Sequence, residues 1–134
     1  MIIKLPNPLL IPLVSFLKYN IPSILWAVFI LALCLMPGHH LPHVTIWEFD
    51  KIIHFGMYVM LAVLLFYGWQ KQVSFPGLHS KTFLKILLIT SAYGFAVEVM
   101  QELFTSDRQF DLVDALANST GAVAGCFFSA RFIK

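Results

Sequence analysis

Charge is the scarcest property of this sequence. Asp, Glu, Lys and Arg make up 12% of its 134 residues, whereas a soluble domain usually carries about a quarter charged residues. Hydrophobic residues make up 59%. The formal net charge of +2 is also too small to indicate a nucleic-acid partner. Composition therefore excludes a soluble globular domain and favours a single membrane domain.

Cysteine is also scarce, and internal repeats and low-complexity tracts are absent. The two cysteines, Cys34 and Cys126, lie inside apolar stretches. We predict that both are small packing residues rather than a disulfide or a nucleophile, because neither has the electropositive surroundings that activate a thiol.

The hydrophobic residues are concentrated in four blocks, at 21–36, 52–69, 84–104 and 112–132. A helix needs about 20 apolar residues to cross a hydrocarbon core of about 30 Å. The sequence therefore predicts an all-α membrane protein, a bundle of four transmembrane helices. Pro37 closes the first block, and Ser106 with Asp107 is the predicted cap before the fourth.

The first twenty residues are apolar but contain Pro6, Pro8 and Pro12, which rule out one long helix. We predict that residues 1–20 form an interfacial segment and that residues 21–134 form the four-helix domain. A cleaved signal peptide is the alternative, but no small-residue cleavage site follows the first apolar block.

Basic residues predict the orientation. Only Lys51 and Arg108 fall on one side of the predicted spans, whereas the other side holds Lys4, Lys18, Lys71, Lys81, Lys85, Arg131 and Lys134. Short loops rich in Lys and Arg stay in the cytoplasm. Both termini and the loop near residues 71–81 are therefore expected in the cytoplasm.

Acidic residues gather at the opposite, outer ends, and several lie inside the spans at helical spacing. At about 100° per residue, the fourth helix carries Asp111, Asp114 and Asn118 on one arc of about 80°, and the glycines of Gly121-x-x-x-Gly125 share that arc. Such glycines permit close packing within the bundle or, alternatively, a dimer contact.

The second and third helices carry similar stripes, formed by Asp50, Lys51, His54 and Tyr58 and by Gly94, Glu98 and Gln101. Lipid does not solvate such groups, so we expect the three stripes to face one another or a water-filled cavity.

These residues form three segments that resemble the VanZ-like family. The segments are DKIIHFGMY at 50–58, YGFAVEVMQE at 93–102 and RQFDLVDALANSTGAVAG at 108–125. The resemblance covers nearly the whole chain from about residue 21. It implies a bacterial cytoplasmic-membrane protein of the kind associated with teicoplanin resistance, and it does not settle a reaction.

The candidate catalytic residues are Asp50, His54, Glu98, Asp111 and Asp114, and the candidate substrate-binding residues are Lys51, Tyr58, Gln101, Arg108 and Asn118. Asp50 lies one turn before His54 and is predicted to orient its imidazole as a general base. Asp111 and Asp114 can share a proton or bind a cation, and Lys51 and Arg108 can hold an anionic group. No metal and no cofactor is assigned.

Three interpretations of this cluster stay open: a catalytic or substrate-binding site, ion pairs that only pin helix ends together, and a metal site. The leading hypothesis is action on, or binding of, a cell-envelope molecule through an outward-facing polar site. Its partner would be a membrane lipid, a lipid-linked wall precursor or a lipophilic glycopeptide. A non-catalytic envelope-shielding module and a small proton-coupled carrier are the alternatives, and the oligomeric state is left open.

Overall fold

The computed structural model describes residues 10–37, 47–72 and 79–133. Those residues form four α-helices and no strand. The helices are α1 (Leu10–Cys34), α2 (Trp47–Gln72), α3 (His79–Phe104) and α4 (Leu112–Phe132). The expected all-helical fold is confirmed, and each of the four hydrophobic blocks corresponds to one helix.

The first helix begins at Leu10, eleven residues before the predicted start of the first apolar block. Pro12 lies in the first turn, where backbone N–H groups have no partner within the helix, so this proline does not break it. Pro22 lies in the helix interior, and just after it the Ser23 hydroxyl donates to the Asn20 carbonyl at 2.8 Å. Our inference that the prolines exclude a long helix is therefore wrong for residues 10–34. An interfacial position for residues 1–20 stays a prediction.

Three of the helices are long and apolar enough to cross a membrane, over Leu13–Cys34, Phe49–Gln72 and Ser80–Phe104. The outward faces of the bundle carry large apolar side chains, such as Leu25, Ile52 and Leu88, which are 64%, 63% and 60% exposed. An apolar exterior around buried polar groups suits lipid as the surrounding medium. The molecule is therefore a multi-pass membrane protein. α4 does not reach the same apolar content, so a fourth span stays a prediction.

α4 packs against α2 in the same direction along the chain. Its N-terminal Asp114 contacts Lys51, and the two later glycines meet later residues of α2. A Cβ on Gly121 would collide with the Phe55 carbonyl, and a Cβ on Gly125 would lie 2.5 Å from the Val59 carbonyl. The glycines thus permit close helix contact inside the bundle, as one of the two interpretations predicted.

Side-chain hydrogen bonds to backbone carbonyls join α1 to its neighbours. The Trp26 indole donates to the Met57 carbonyl at 2.9 Å, and the Tyr93 hydroxyl donates to the Ala27 carbonyl at 2.5 Å. Cys34 and Cys126 are free and buried, as predicted for packing residues. These contacts hold α1 against α2 and α3, beside the polar stripes.

Candidate functional site

The end of the bundle where α2 and α4 begin carries an ion-paired cluster that we call the rim cluster, formed by Lys51, Asp111 and Asp114. The Lys51 ammonium donates to Asp111 Oδ2 at 2.7 Å and also to Asp114 Oδ1. The Lys51 side chain is 15% exposed. One cation therefore joins α2 to the start of α4, as the helix-pinning interpretation expected.

Asp111 is also the N-cap of α4. Its Oδ1 accepts a hydrogen bond from the Val113 backbone N–H at 2.7 Å. The hydrogen bond from Lys51 holds the pKa of the Asp111 carboxyl below its usual value of 3.8. The predicted cap at Ser106 and Asp107 is wrong by four to five residues. α4 begins at Leu112, so Asp111 is the residue whose carboxylate reaches the Val113 N–H.

Below the rim lies a second polar group that we call the buried chain, formed by His54, Asn118 and Glu98. His54 Nδ1 lies 3.0 Å from Asn118 Oδ1, and Asn118 Nδ2 lies 3.4 Å from Glu98 Oε1. Glu98 and Asn118 are fully buried, and His54 is 2% exposed. The three stripes do face one another, with Glu98 beneath the imidazole.

The hydrogen bonds assign the imidazole tautomer. The Asn118 amide donates towards the Glu98 carboxylate, so its carbonyl oxygen faces His54. Nδ1 can therefore donate to this oxygen, and in that tautomer of the neutral imidazole Nε2 carries the lone pair. An unprotonated ring nitrogen held in place in this way can accept a proton from a reacting group.

Asp50 does not orient this imidazole in the predicted way. Its Oδ1 lies 3.9 Å from His54 Nε2, which is too far for a hydrogen bond. The orienting group is Asn118, which comes from another helix. Asp50 instead lies beside Nε2 with its own side chain 49% exposed.

The other predicted residues divide between the cluster and the packing. The Tyr58 hydroxyl is buried next to Gly94 and has no hydrogen-bond partner within the part of the chain that the structure describes. Gln101 donates to the Cys34 carbonyl at 2.9 Å, so it caps the end of α1 instead of joining the cluster. Among the described residues, Arg108 makes no ion pair with Asp111 or Asp114, since Lys51 holds both.

Two observations add to what the helical stripes predicted. The absence of a side chain at Gly94 lets α3 pack closely against Asn118 and Tyr58. A Cβ at this position would lie 2.9 Å from Asn118 Cβ. A cavity of about 140 Å³ lies between α1, α2 and α3, lined by Asn20, Ser23 and Thr90 among apolar residues. It lies outside the cluster, so an open cavity over the cluster itself stays a prediction. The loop histidines at 39, 40 and 43 lie outside the described residues.

These features define a class: a multi-pass helical membrane protein with a buried histidine–amide–carboxylate chain beneath an ion-paired rim. Comparison with models of protein families then matches residues 2–133 to the family described as VanZ/LLP1, and the chain belongs to that family. No curated protein and no solved structure matches the chain. The resemblance seen in the sequence is therefore confirmed over essentially its whole length.

Proposed function

We propose that this VanZ/LLP1-family protein binds and acts on a lipid or lipid-linked molecule of the cell envelope, with His54 as the general base. The single observation that carries this proposal is the buried chain. His54 Nδ1 is held by Asn118, and Nε2 faces outward towards the exposed Asp50. A histidine oriented in this way is the arrangement that proton transfer requires.

Helix pinning does not account for the buried chain. The ion-pair pin predicted from the sequence needs a cation, and in the rim cluster that cation is Lys51. Among the described residues, no lysine or arginine forms an ion pair with Glu98, and its Oε2 has no hydrogen-bond partner. Polar groups inside a membrane are costly and are typically retained for function. We therefore assign the pin to Lys51 and the chemistry to His54.

The substrate class follows from the position of the site. The site is bordered by Asp50 and by Lys51 and Asp114 of the rim cluster. The helix faces around it carry exposed apolar side chains such as Ile52 and Leu112. A molecule that reaches Nε2 from the bilayer needs an apolar part and a polar head. A membrane lipid, a lipid-linked wall precursor and a lipophilic glycopeptide all fit that description.

The proposal includes an orientation. Four spans with both termini in the cytoplasm would place the rim at the outer leaflet. The basic residues support this orientation, because Lys71, Lys81 and Arg131 lie at the ends opposite the rim. Envelope precursors and glycopeptides would reach the protein at a site in the outer leaflet.

The decisive experiment separates catalysis from folding. We expect His54→Asn to abolish the envelope or teicoplanin-resistance phenotype while leaving the amount of protein in the membrane near normal, since loss of a general base costs about 10²–10⁴-fold in rate. Glu102→Gln is the matched control, because Glu102 is exposed on α3 and outside the cluster. Normal phenotype at normal abundance in His54→Asn would refute the proposal.

The substrate is then found by comparing the lipids of membranes that carry the wild-type protein, the His54→Asn variant or no protein. A lipid class that changes only with the wild-type protein identifies a substrate. If no lipid changes but the His54→Asn variant still loses resistance, the site acts on the glycopeptide itself. Binding of labelled teicoplanin to the purified protein tests that second case.

A further inference from the structure

We propose that Asp50, His54 and Asp114 bind a divalent transition-metal ion of the Zn²⁺ class. Each of these residues offers one ligand atom, and the three atoms all lie within 4.8 Å of one another. An imidazole nitrogen with two carboxylate oxygens is a ligand set that Zn²⁺ accepts at about 2.0–2.2 Å. The inference deepens the proposed function and changes the role of His54 in it: an ion on Nε2 would use the lone pair for coordination, and the base would then be a water or hydroxide bound to the ion.

The geometry needs little change to close around an ion. Ligand atoms about 2.1 Å from a tetrahedral ion are about 3.4 Å apart. His54 Nε2 and Asp50 Oδ1 are 3.9 Å apart, and the exposed Asp50 side chain has room to turn. Asp114, whose Oδ1 accepts from Lys51, offers one carboxylate oxygen to the group.

The state of His54 is the independent observation that points to a ligand. The side chain is 3% exposed, and the contact that the described residues offer its Nε2 is Asp50 Oδ1 at 3.9 Å, beyond hydrogen-bond distance. Nδ1 meanwhile donates to Asn118, which donates to Glu98. A metal-bound histidine typically has this arrangement, with the second nitrogen held by a carbonyl or carboxylate that fixes the tautomer.

Charge at the rim favours a cation as well. The Lys51 ammonium pairs with Asp111 and Asp114, while Asp50 adds a third carboxylate beside His54. The buried Glu98 lies 3.6 Å from His54 Nδ1 and adds a further acid without its own cation. A divalent ion on Nε2 would polarise the imidazole and so stabilise that buried carboxylate.

The test uses Co²⁺ as a spectroscopic probe on the purified full chain in detergent, without a histidine tag. Because His39, His40 and His43 can bind metal themselves, all measurements use a background in which the three are replaced by Gln. We expect one Co²⁺ per chain after gel filtration, with visible absorption bands and a raised unfolding temperature.

Two variants should lose that binding. His54→Gln removes the nitrogen ligand. Asp50→Asn removes an oxygen ligand at an exposed position, where the substitution should leave folding intact. Glu102→Gln, an exposed acid outside the cluster, should bind Co²⁺ as the background protein does. Equal binding by all variants, or none by the background protein, would overturn the metal proposal.

The outcomes also separate this proposal from the proposed function. If Co²⁺ does not bind but His54→Asn abolishes the phenotype, His54 acts without metal and only the metal site is wrong. If Co²⁺ binds at one per chain while His54→Asn leaves the phenotype intact, the metal site stands and the proposed chemistry fails.

Discussion

At the scale of single residues, the polar groups of the site fall into two sets, one partly exposed at the rim and one fully buried. Lys51 joins two carboxylates at the rim, one of which, Asp111, is a third exposed. Glu98, by contrast, is fully buried, and the described residues place a histidine and an amide beside it. Exposed pairs contribute little to stability, whereas a buried charge left unpaired costs several kcal/mol. Substitutions in the two groups should therefore have different effects.

Removing Lys51 should weaken folding more than catalysis. Lys51→Met leaves Asp114, which is 7% exposed, without its cation, and we expect a loss of about 3 kcal/mol in unfolding free energy. The measurement is the unfolding midpoint in detergent together with abundance in the membrane. Lys81→Met, at an exposed position on α3, is the control and should change neither. A Lys51→Met protein as stable as the wild type would show that the rim does not pin α2 to α4.

The rim should also respond to acid. The pKa of Asp111 is lowered in the folded protein, chiefly by the hydrogen bond from Lys51, so its ionised form favours folding. Its contribution is fully present above the usual value of 3.8 and is lost as the pH falls through the lower folded value. Unfolding midpoints measured from pH 6 to pH 3 should fall, and Asp111→Asn should flatten that fall. An unchanged slope in the variant would contradict the assignment.

At the scale of the helix, the hydrophobic blocks predicted all four elements but not all of their ends. The start of α1 was predicted at residue 21 and lies at Leu10, because Pro12 lies in a first turn that needs no N–H donor. The cap of α4 is Asp111 rather than Ser106 or Asp107. Such ends depend on which side chain reaches an unpaired N–H, and a hydrophobicity pattern does not contain that information.

The site was predicted better than the ends of the helices. Helical periodicity placed His54, Glu98 and Asn118 on facing stripes, because polar groups inside a membrane must meet one another. It did not predict that Asn118 would connect the other two, because those contacts span 64 and 20 residues of sequence. Gln101 shared the stripe of α3 but donates to the Cys34 carbonyl, a partner that is backbone and carries no sequence signal.

Close contact between α2 and α4 should depend on two glycines. Gly125→Ala places a methyl group about 2.5 Å from the Val59 carbonyl and 2.8 Å from Ala62 Cβ, so the helices must move apart. We expect a loss of about 1–3 kcal/mol, the usual cost of overpacking, and a similar loss for Gly121→Ala.

Gly56→Ala is the matched control for this prediction. A Cβ at position 56 has nothing within 4 Å, so the substitution should be neutral or stabilise α2 by about 0.5–1 kcal/mol. Unfolding midpoints of the three variants in detergent give the comparison. Equal effects at positions 56 and 125 would show that helix propensity, not the contact between α2 and α4, decides the outcome.

At the scale of the whole molecule, the direction of α4 bears on topology. α2 and α4 run parallel, from the rim at Lys51 and Asp114 to Val59 beside Gly125. The 21 residues of α4 extend about 32 Å at 1.5 Å per residue, close to the thickness of a hydrocarbon core. Its outer face carries Leu116 and Phe127, which are 57% and 63% exposed. A helix that follows a spanning neighbour so closely should span the membrane too, although its composition alone is not apolar enough.

Cysteine labelling tests this prediction directly. Cys34 and Cys126 are buried and are replaced by Ala to give a background without thiols. Ser106→Cys, in the exposed connection between α3 and α4, should react with a membrane-impermeant maleimide in intact cells, or in spheroplasts where an outer membrane blocks the reagent. Lys134→Cys should react only after the cytoplasm is opened, because a spanning α4 returns the chain to that side. If both positions react from outside, α4 does not cross, the protein has three spans, and the rim must be placed relative to the membrane by another argument.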